Sequence, residues 1–253
     1  MNVFDFPRAY EMAFSYRDVP HEVDALLKWH GGGVASALEV AAGPADHALE
    51  LVARGLSAST MDLNPAMCVR AAERATERGL ALLSVTNADM VAFDLGREFD
   101  LVFCLIDSLA YVLDLESLTA HLACVRRHLA PGGAYVVETL HPADGFGVGQ
   151  HTETDWTVER DGVRVRVRWG QGDEPMDPVT QVTNAVVTID VCGPWGEQRI
   201  EETMAQRFWT RDELRAAARL AGLEVTAQYG DFDGGAIDAE RAWRMISVLR
   251  PGG

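Results

Sequence analysis

Three carboxylates, Glu39, Asp62 and Asp89, fall within or just after short apolar runs, and a lone glycine, Gly43, follows the first of them. Glu39 lies in Ala37-Leu-Glu-Val-Ala-Ala-Gly43-Pro-Ala-Asp-His47, Asp62 closes the run Leu56 to Met61, and Asp89 follows Leu80 to Val85. A glycine where a strand turns into a helix lets backbone N–H groups approach a ligand closely, and the helix N-terminus adds partial positive charge. An acidic residue at the end of the next strand, roughly 20 residues beyond the turn, can grip both hydroxyls of a ribose. Glu39 to Asp62 fits that distance, and Asp89 is placed to accept a hydrogen bond from an adenine amino group. The chemistry these residues suit is capture of a nucleoside.

Such groups need strands to end beside one another and helices to return between them. Leu38 to Ala41 is a short apolar run, and Pro44 to Leu56 places Ala48, Leu51 and Val52 on one helix face. Asn64-Pro65 starts a second helix that Gly79 can stop. Glu116 to Leu129 repeats apolar residues at Leu118, Leu122, Val125 and Leu129, which predicts a helix covering a sheet, with His121 and His128 off its apolar stripe.

Together these residues resemble the class I S-adenosylmethionine-dependent methyltransferases, whose first motif is acid-x-Gly-x-Gly-x-Gly and whose later motifs carry the ribose and adenine carboxylates. Glu39, Gly43, Asp62 and Asp89 sit where the resemblance expects them, while Ala41 and Ala45 replace the flanking glycines. It continues through Phe99-Asp-Leu-Val-Phe-Cys-Leu105 as a fourth strand and Leu129-Ala-Pro-Gly-Gly133-Ala-Tyr-Val-Val-Glu138 as the turn into a fifth. Gly222-Leu-Glu-Val and Trp243 to Leu249 extend it to the last two strands. The resemblance implies an α/β fold: a Rossmann-like, seven-stranded, mostly parallel sheet flanked by helices, its last strand antiparallel. It also implies S-adenosyl-L-methionine as cofactor, contacted by Tyr16, Glu39, Ala41, Gly43, Asp62, Leu63, Asp89, Met90 and Leu105.

Between the fifth strand and the closing helix the periodicity changes. Val163, Val165, Val167 and Trp169 alternate with Arg164, Arg166 and Arg168, and Asp161-Gly162 offers a tight hairpin turn. Strand-like runs at Val179 to Val191 and Gln198 to Trp209, broken by Gly193-Pro194, complete a small antiparallel sheet. Thr210-Arg-Asp-Glu213 is a capping box that starts the next helix. The expected organisation is an N-terminal helical cap over 1–33, a cofactor-binding core over 34–144 and 208–253, and an inserted sheet over 145–207 acting as lid or dimer contact. The arginine stripe is open to three readings: solvent, a partner subunit in a homodimer, or an anionic substrate.

Methyl transfer from a sulfonium is an in-line displacement, in which positioning and exclusion of water matter most and a base helps when the acceptor carries a proton. His141, directly after the expected fifth strand in Glu138-Thr-Leu-His-Pro142, is the candidate base and substrate contact. Tyr10 from the aromatic N-terminus, and Asp107 and Tyr111 beyond the fourth strand, are further substrate-binding candidates. Asp107 can equally cap the turn that follows it. The expected reaction is methylation of an oxygen or nitrogen centre on a small molecule, within secondary metabolism. Cyclisation or elimination on the same fold, and a non-catalytic regulatory module, stand as alternatives.

A chain of 253 residues, 48% hydrophobic, suffices for one α/β core with an insertion. Its net charge of −16 disfavours a phosphate backbone as partner, because nucleic-acid binding needs clustered Lys and Arg. No run approaches the roughly 18 uninterrupted apolar residues of a membrane span, so the expected location is the cytoplasm. Cys68, Cys104, Cys124 and Cys192 show no paired spacing, which suggests reduced thiols without a disulfide framework, and no metal is expected.

Overall fold

The computed structural model describes residues 2–140, 154–172, 174–194, 196–238 and 244–252. His141 and Trp243 lie outside the described residues, as does the rest of 141–153. Two sheets organise the described residues. The larger has seven strands in the order Leu223–Tyr229, Arg244–Pro251, Leu129–Leu140, Phe99–Cys104, Ser36–Val40, Ser57–Asp62 and Ser84–Asn87, and the smaller has four.

In the larger sheet, β1 (Ser36–Val40), β2 (Ser57–Asp62), β3 (Ser84–Asn87), β4 (Phe99–Cys104) and β5 (Leu129–Leu140) run parallel. β11 (Arg244–Pro251) is antiparallel to both β5 and β10 (Leu223–Tyr229), so the last strand lies inside the sheet and β10 forms the edge. Near-continuous apolar strands suit a sheet covered on both faces. One face packs Leu38, Val102 and Tyr135 against α5 (Leu115–Arg127) and α6 (Arg211–Leu220). The other packs Leu101, Phe103 and Val136 against α2 (Val19–His30), α3 (Asp46–Ala53) and α4 (Pro65–Glu77).

Local chemistry sets these elements. Asp18 caps α2, Pro20 sits in its first turn, and Gly31 ends it with φ 97°. Asn64 Oδ1 accepts the N–H groups of Ala66 and Met67 at the start of α4, and the expected Thr210–Glu213 capping box is present at α6. At β5, Phe99 pairs with Leu129 but Leu101 pairs with Ala134, so the Pro131–Gly133 segment bulges. A Cβ on Gly133 would stand 2.9 Å from the Ala130 carbonyl and 3.1 Å from those of Asp100 and Phe99.

Three expectations need correction. The strand expected over Leu80 to Val85 begins only at Ser84, because the Leu80 and Leu83 N–H groups bond to the Ala75 and Ala58 carbonyls and hold the approach to β3 as a loop. His121 and His128 are off the apolar stripe yet buried, their ring nitrogens satisfied. His121 bonds the Met90 carbonyl and the Tyr135 hydroxyl, while His128 bonds the Cys124 carbonyl and accepts the Leu95 N–H. Residues 1–33 also do not form one cap. α2 packs on the core beside α3, whereas Val3, Phe4, Phe6 and α1 (Pro7–Ala13) pack against the smaller sheet.

That smaller sheet is a meander of β6 (Asp155–Arg160), β7 (Val163–Trp169), β8 (Val182–Gly193) and β9 (Gly196–Arg207), all antiparallel. Asp161 and Gly162 both have positive φ, 52° and 77°, as a two-residue type I′ hairpin requires. Val165, Val167, Val187 and Ile189 face the N-terminal segment, the Trp156 indole donates to the Ala13 carbonyl at 2.8 Å, and Glu202 accepts the Val3 N–H at 2.7 Å. All four cysteines are free: Cys104 and Cys124 are buried, Cys68 is half-buried and Cys192 is exposed.

Candidate active site

The C-terminal ends of β1, β2, β4 and β5 open into a cavity of about 1930 Å³, with α1 above it and the smaller sheet alongside. Ligand cavities usually measure about 300–1,000 Å³, so this one has room for two molecules at once.

At the β1 end, the turn Ala41–Ala45 carries three positive φ angles: 51° at Ala41, 52° at Gly43 and 63° at Ala45. The two alanines adopt the left-handed conformation that glycines would take there, at a cost of about 1–2 kcal/mol each. The turn is fastened to β2: Asp62 Oδ2 accepts the Gly43 N–H at 2.8 Å, and the Met61 carbonyl accepts the Ala42 N–H at 3.0 Å. Asp62 Oδ1 takes the Asn64 N–H at 2.8 Å, which leaves one acceptor site on each oxygen for a ligand. Burial pushes the Asp62 carboxyl up in pKa, partly offset by those two backbone donors.

Ala41, Gly43, Asp62, Leu63, Asp89 and Met90 all line the cavity, as do Tyr10, Tyr16, Asp107 and Tyr111. Asp89 is exposed and also accepts the Val91 N–H; Leu63 is 67% exposed at the rim. Tyr10 Cε1 lies 3.7 Å from where a Cβ on Gly43 would stand, so the α1 aromatic row reaches the glycine turn. Glu39 and Leu105 lie behind the wall instead. Glu39 is buried, with Oε2 accepting the Ala48 N–H at 2.9 Å and Oε1 facing His47 Nδ1 at 3.3 Å, so it holds the start of α3. Leu105 is buried beside Ile106.

Beyond β4, Ile106 and Asp107 both have positive φ, 55° and 51°. For a β-branched residue this is strained backbone, of a kind that clusters at ligand sites. Asp107 does not cap the following 3-10 turn Ser108–Tyr111; its Oδ1 accepts the Leu140 N–H at 3.0 Å. Burial raises its pKa to about 8, against the opposing Leu140 hydrogen bond, and Glu138 adds to the rise.

A row of buried charges forms the floor. Arg17 bonds Glu22 through Nε (3.0 Å) and Nη2 (2.8 Å) and Glu138 through Nη2 (3.0 Å), while Arg244 pairs with Glu138 at 2.9 Å. His47 Nε2 bonds Glu22 at 2.7 Å. Burial opposes the charge on Glu138, but Arg17 and Arg244 outweigh it and hold the pKa at about 2. Burial likewise opposes the His47 charge, but Glu22 and Glu39 raise its pKa to about 9. Arg17, Glu138 and Arg244 all line the cavity, and none was a sequence candidate. The available signal was Glu138 itself, a charge ending the apolar run Ala134 to Val137, since a buried carboxylate needs a partner.

The arginine stripe is engaged on its own hairpin. Arg164 pairs with Glu159, Arg166 with Asp155 through two bonds of 3.0 and 2.7 Å, and Arg168 with Asp155 at 3.6 Å. Arg164 and Arg166 nonetheless border the outer part of the cavity. Among the described residues no group of three or more His, Cys, Asp or Glu side chains could hold a metal ion, and no helix is long and apolar enough to cross a membrane.

This arrangement fits an adenosyl ligand: a carboxylate with spare acceptors at the end of β2, a turn with close backbone approach, and an apolar slot from Ala88, Met90 and Leu63. Comparison with known proteins agrees. Residues 37–133, from β1 into β5, match the family model described as a methyltransferase domain. A dTDP-3-amino-3,4,6-trideoxy-alpha-D-glucopyranose N,N-dimethyltransferase of Streptomyces venezuelae is 30% identical over 230 residues, covering 87% of this chain and 91% of that protein. The dTDP-4-amino-2,3,4,6-tetradeoxy-D-glucose N,N-dimethyltransferase of Saccharopolyspora spinosa is 29% identical over 204 residues, covering 81% and 77%. A crystal structure of an S-adenosylmethionine-dependent methyltransferase from Clostridium acetobutylicum superposes with a TM-score of 0.80 over 96% of each chain at 16% identity, a likeness of fold. With its closing antiparallel strand, its strand-end carboxylates and these relatives, the chain belongs to the class I S-adenosylmethionine-dependent methyltransferases that act on small molecules.

Proposed function

We propose that this enzyme methylates the amino group of a deoxysugar, carried on a nucleoside diphosphate as in its relatives. The observation that carries the reading is that both sugar-modifying relatives, aligned over more than four fifths of the chain, act on an amine. The size of the cavity supports it, being ample for a cofactor and a nucleotide-linked sugar together.

In this reading Asp62 holds the ribose and Asp89 the adenine amino group, the Ala41–Gly43 turn meets the amino-acid portion, and Tyr10 and Tyr16 cover it. S-adenosylmethionine supplies an electrophilic methyl group on a sulfonium. The chain's task is to present a neutral amine in line with that group and to keep water out. An amine arrives largely protonated at neutral pH and must lose a proton before attack. Asp107, on the strained corner beyond β4, is the proposed acceptor of that proton: its pKa of about 8 is close to that of an amine, so transfer between them is nearly isoenergetic. His141 is the second candidate, favoured by its place directly after Leu140, whose N–H is given to Asp107.

The test incubates the enzyme with S-adenosylmethionine and either the dTDP-amino-deoxysugar or the methyl glycoside of the same sugar. Methylated amine should form in step with S-adenosylhomocysteine; an enzyme that methylates only hydroxyl acceptors would refute the amine reading. Turnover should climb as pH rises through 8, and Asp107→Asn should lower it by roughly 10²–10⁴ near neutral pH, where the amine arrives protonated. If His141→Asn shows that loss and Asp107→Asn does not, His141 takes the proton instead.

A further inference from the structure

The buried charges do more than balance one another. Arg17 is their pivot: its side chain is 4% exposed, its Nη2 bonds carboxylates from two elements, Glu22 on α2 and Glu138 on β5, and its Nε adds a second bond to Glu22 that fixes the plane of the guanidinium. From Glu22 the contacts pass through His47 to Glu39 and the Ala48 N–H, which lies in the first turn of α3 just behind the Gly43 turn. From Glu138 they pass to Arg244 on β11 and to the N–H of Ile106, at 2.9 Å, on the strained corner beyond β4. Arg17 directly follows Tyr16, and the rings of Tyr10, Phe14 and Tyr16 form a row along the same segment, with centroids 4.5 and 6.3 Å apart. The apolar contacts of α1 go mainly to the smaller sheet. Apart from the Tyr10 ring at the Gly43 turn, its ties to the core are polar: Glu11 with Arg70 and Arg74, and the Arg17 cluster that follows it.

We infer that Arg17 is a positioning residue that latches the N-terminal aromatic roof to the core, so that seating the roof and shaping the cofactor end of the cavity occur as one event. A buried ion pair adds little net stability over an apolar replacement, so its value lies in what it fixes. A planar guanidinium bonded to two carboxylates fixes the angle between the elements that carry them, which a lysine ammonium does not. Through Glu39 and Glu138 that angle is passed to the two backbone corners, Ala41–Ala45 and Ile106–Asp107, that border the cofactor. The coupling concerns the cofactor end of the site and does not depend on which acceptor is methylated.

Arg17→Lys keeps the charge but, with one nitrogen on a shorter stem, loses the second bond that fixes the guanidinium plane against Glu22, and Glu22→Gln weakens the branch toward His47 while leaving Arg17 beside Glu138. In the cofactor-free protein, hydrogen exchange of the α1 amides should quicken by about tenfold or more in Arg17→Lys, because local opening no longer breaks the latch. Calorimetry should show S-adenosylhomocysteine binding weakened about tenfold or more in the same variant, with KM for S-adenosylmethionine raised in the same direction. Glu22→Gln should move both readouts in the same direction by a smaller factor. Unchanged α1 protection in folded Arg17→Lys overturns the latch, including the case where cofactor affinity alone falls, since that marks a direct contact only. If Arg17→Lys does not fold, Glu22→Gln decides on the same two readouts.

Discussion

Asp62 is committed to two backbone donors before any ligand arrives, so it both shapes the glycine turn and serves the cavity. Asp62→Ala should weaken S-adenosylhomocysteine binding by about 1.5–3 kcal/mol, the worth of a hydrogen bond to a charged group, as titration calorimetry will show. Equal affinity in the variant would leave Asp62 with the turn alone. Ala41 makes a complementary case: it is a left-handed residue without the freedom of glycine. Ala41→Gly should raise stability by about 0.5–1 kcal/mol in chemical denaturation, the relief at positive φ less the extra entropy of the unfolded chain. Strand-end carboxylates were legible in the sequence because each follows its own apolar run. Arg17 and Glu138 were not, because their contact joins residues 121 positions apart and no local pattern announces it. Glu39 sits in the first motif, yet nothing local says that its carboxylate turns to the Ala48 N–H.

Elements were most legible where punctuation residues act on the backbone nearby. The Asp161-Gly162 hairpin, the Thr210 capping box and the Asn64-Pro65 helix start all appear where the residue types require them. The start of β3 differs from the expectation because Leu80 and Leu82 pack against the core from a loop, and periodicity cannot tell a packed loop from a strand. His121 and His128 show the same limit, since their burial rests on partners such as Tyr135 and Leu95 that come from other elements. At the β5 bulge three carbonyls crowd Gly133. Gly133→Ala should therefore cost about 1–3 kcal/mol of stability in urea unfolding, an overpacking penalty that a merely exposed turn would not show. The paired arginines of β7 give another prediction: replacing Arg164, Arg166 and Arg168 together by Gln should leave S-adenosylhomocysteine affinity unchanged. If their place at the cavity border meets an anionic substrate, KM should rise for the nucleotide-linked acceptor alone, and loss of a dimer in sedimentation would assign the stripe to an interface instead.

On the scale of the whole molecule, the buried charges set how stability responds to pH. His47 has its pKa raised from 6.5 to about 9 in the fold, so its contribution is full below pH 6.5 and is lost as pH rises through 9. Asp107, raised from 3.8 to about 8, acts in the same direction: the folded state keeps a proton that the unfolded chain releases, so stability falls between those values. Glu138, lowered from 4.5 to about 2, contributes above pH 4.5 and is lost as pH falls toward 2. Thermal unfolding of the cofactor-free protein should accordingly show Tm declining from about pH 6.5 to 9, with a shallower decline in Asp107→Asn. A flat alkaline limb would mean that His47 is not held charged between Glu22 and Glu39.

The position of β11 between β5 and β10 bears on the order in which the chain is made. β5 leaves the ribosome with one edge paired to β4 and the other bare, and the strand that covers that edge follows only after the whole inserted sheet and α6. The loop closed by this pairing is roughly 100 residues, long enough that its entropy must be met late, when the smaller sheet has already folded into a compact unit and shortened the effective span. Until then Val136 and Val137 stand on an unpaired, apolar strand edge, which is the point at which a nascent chain of this protein would invite a chaperone or a second copy of itself.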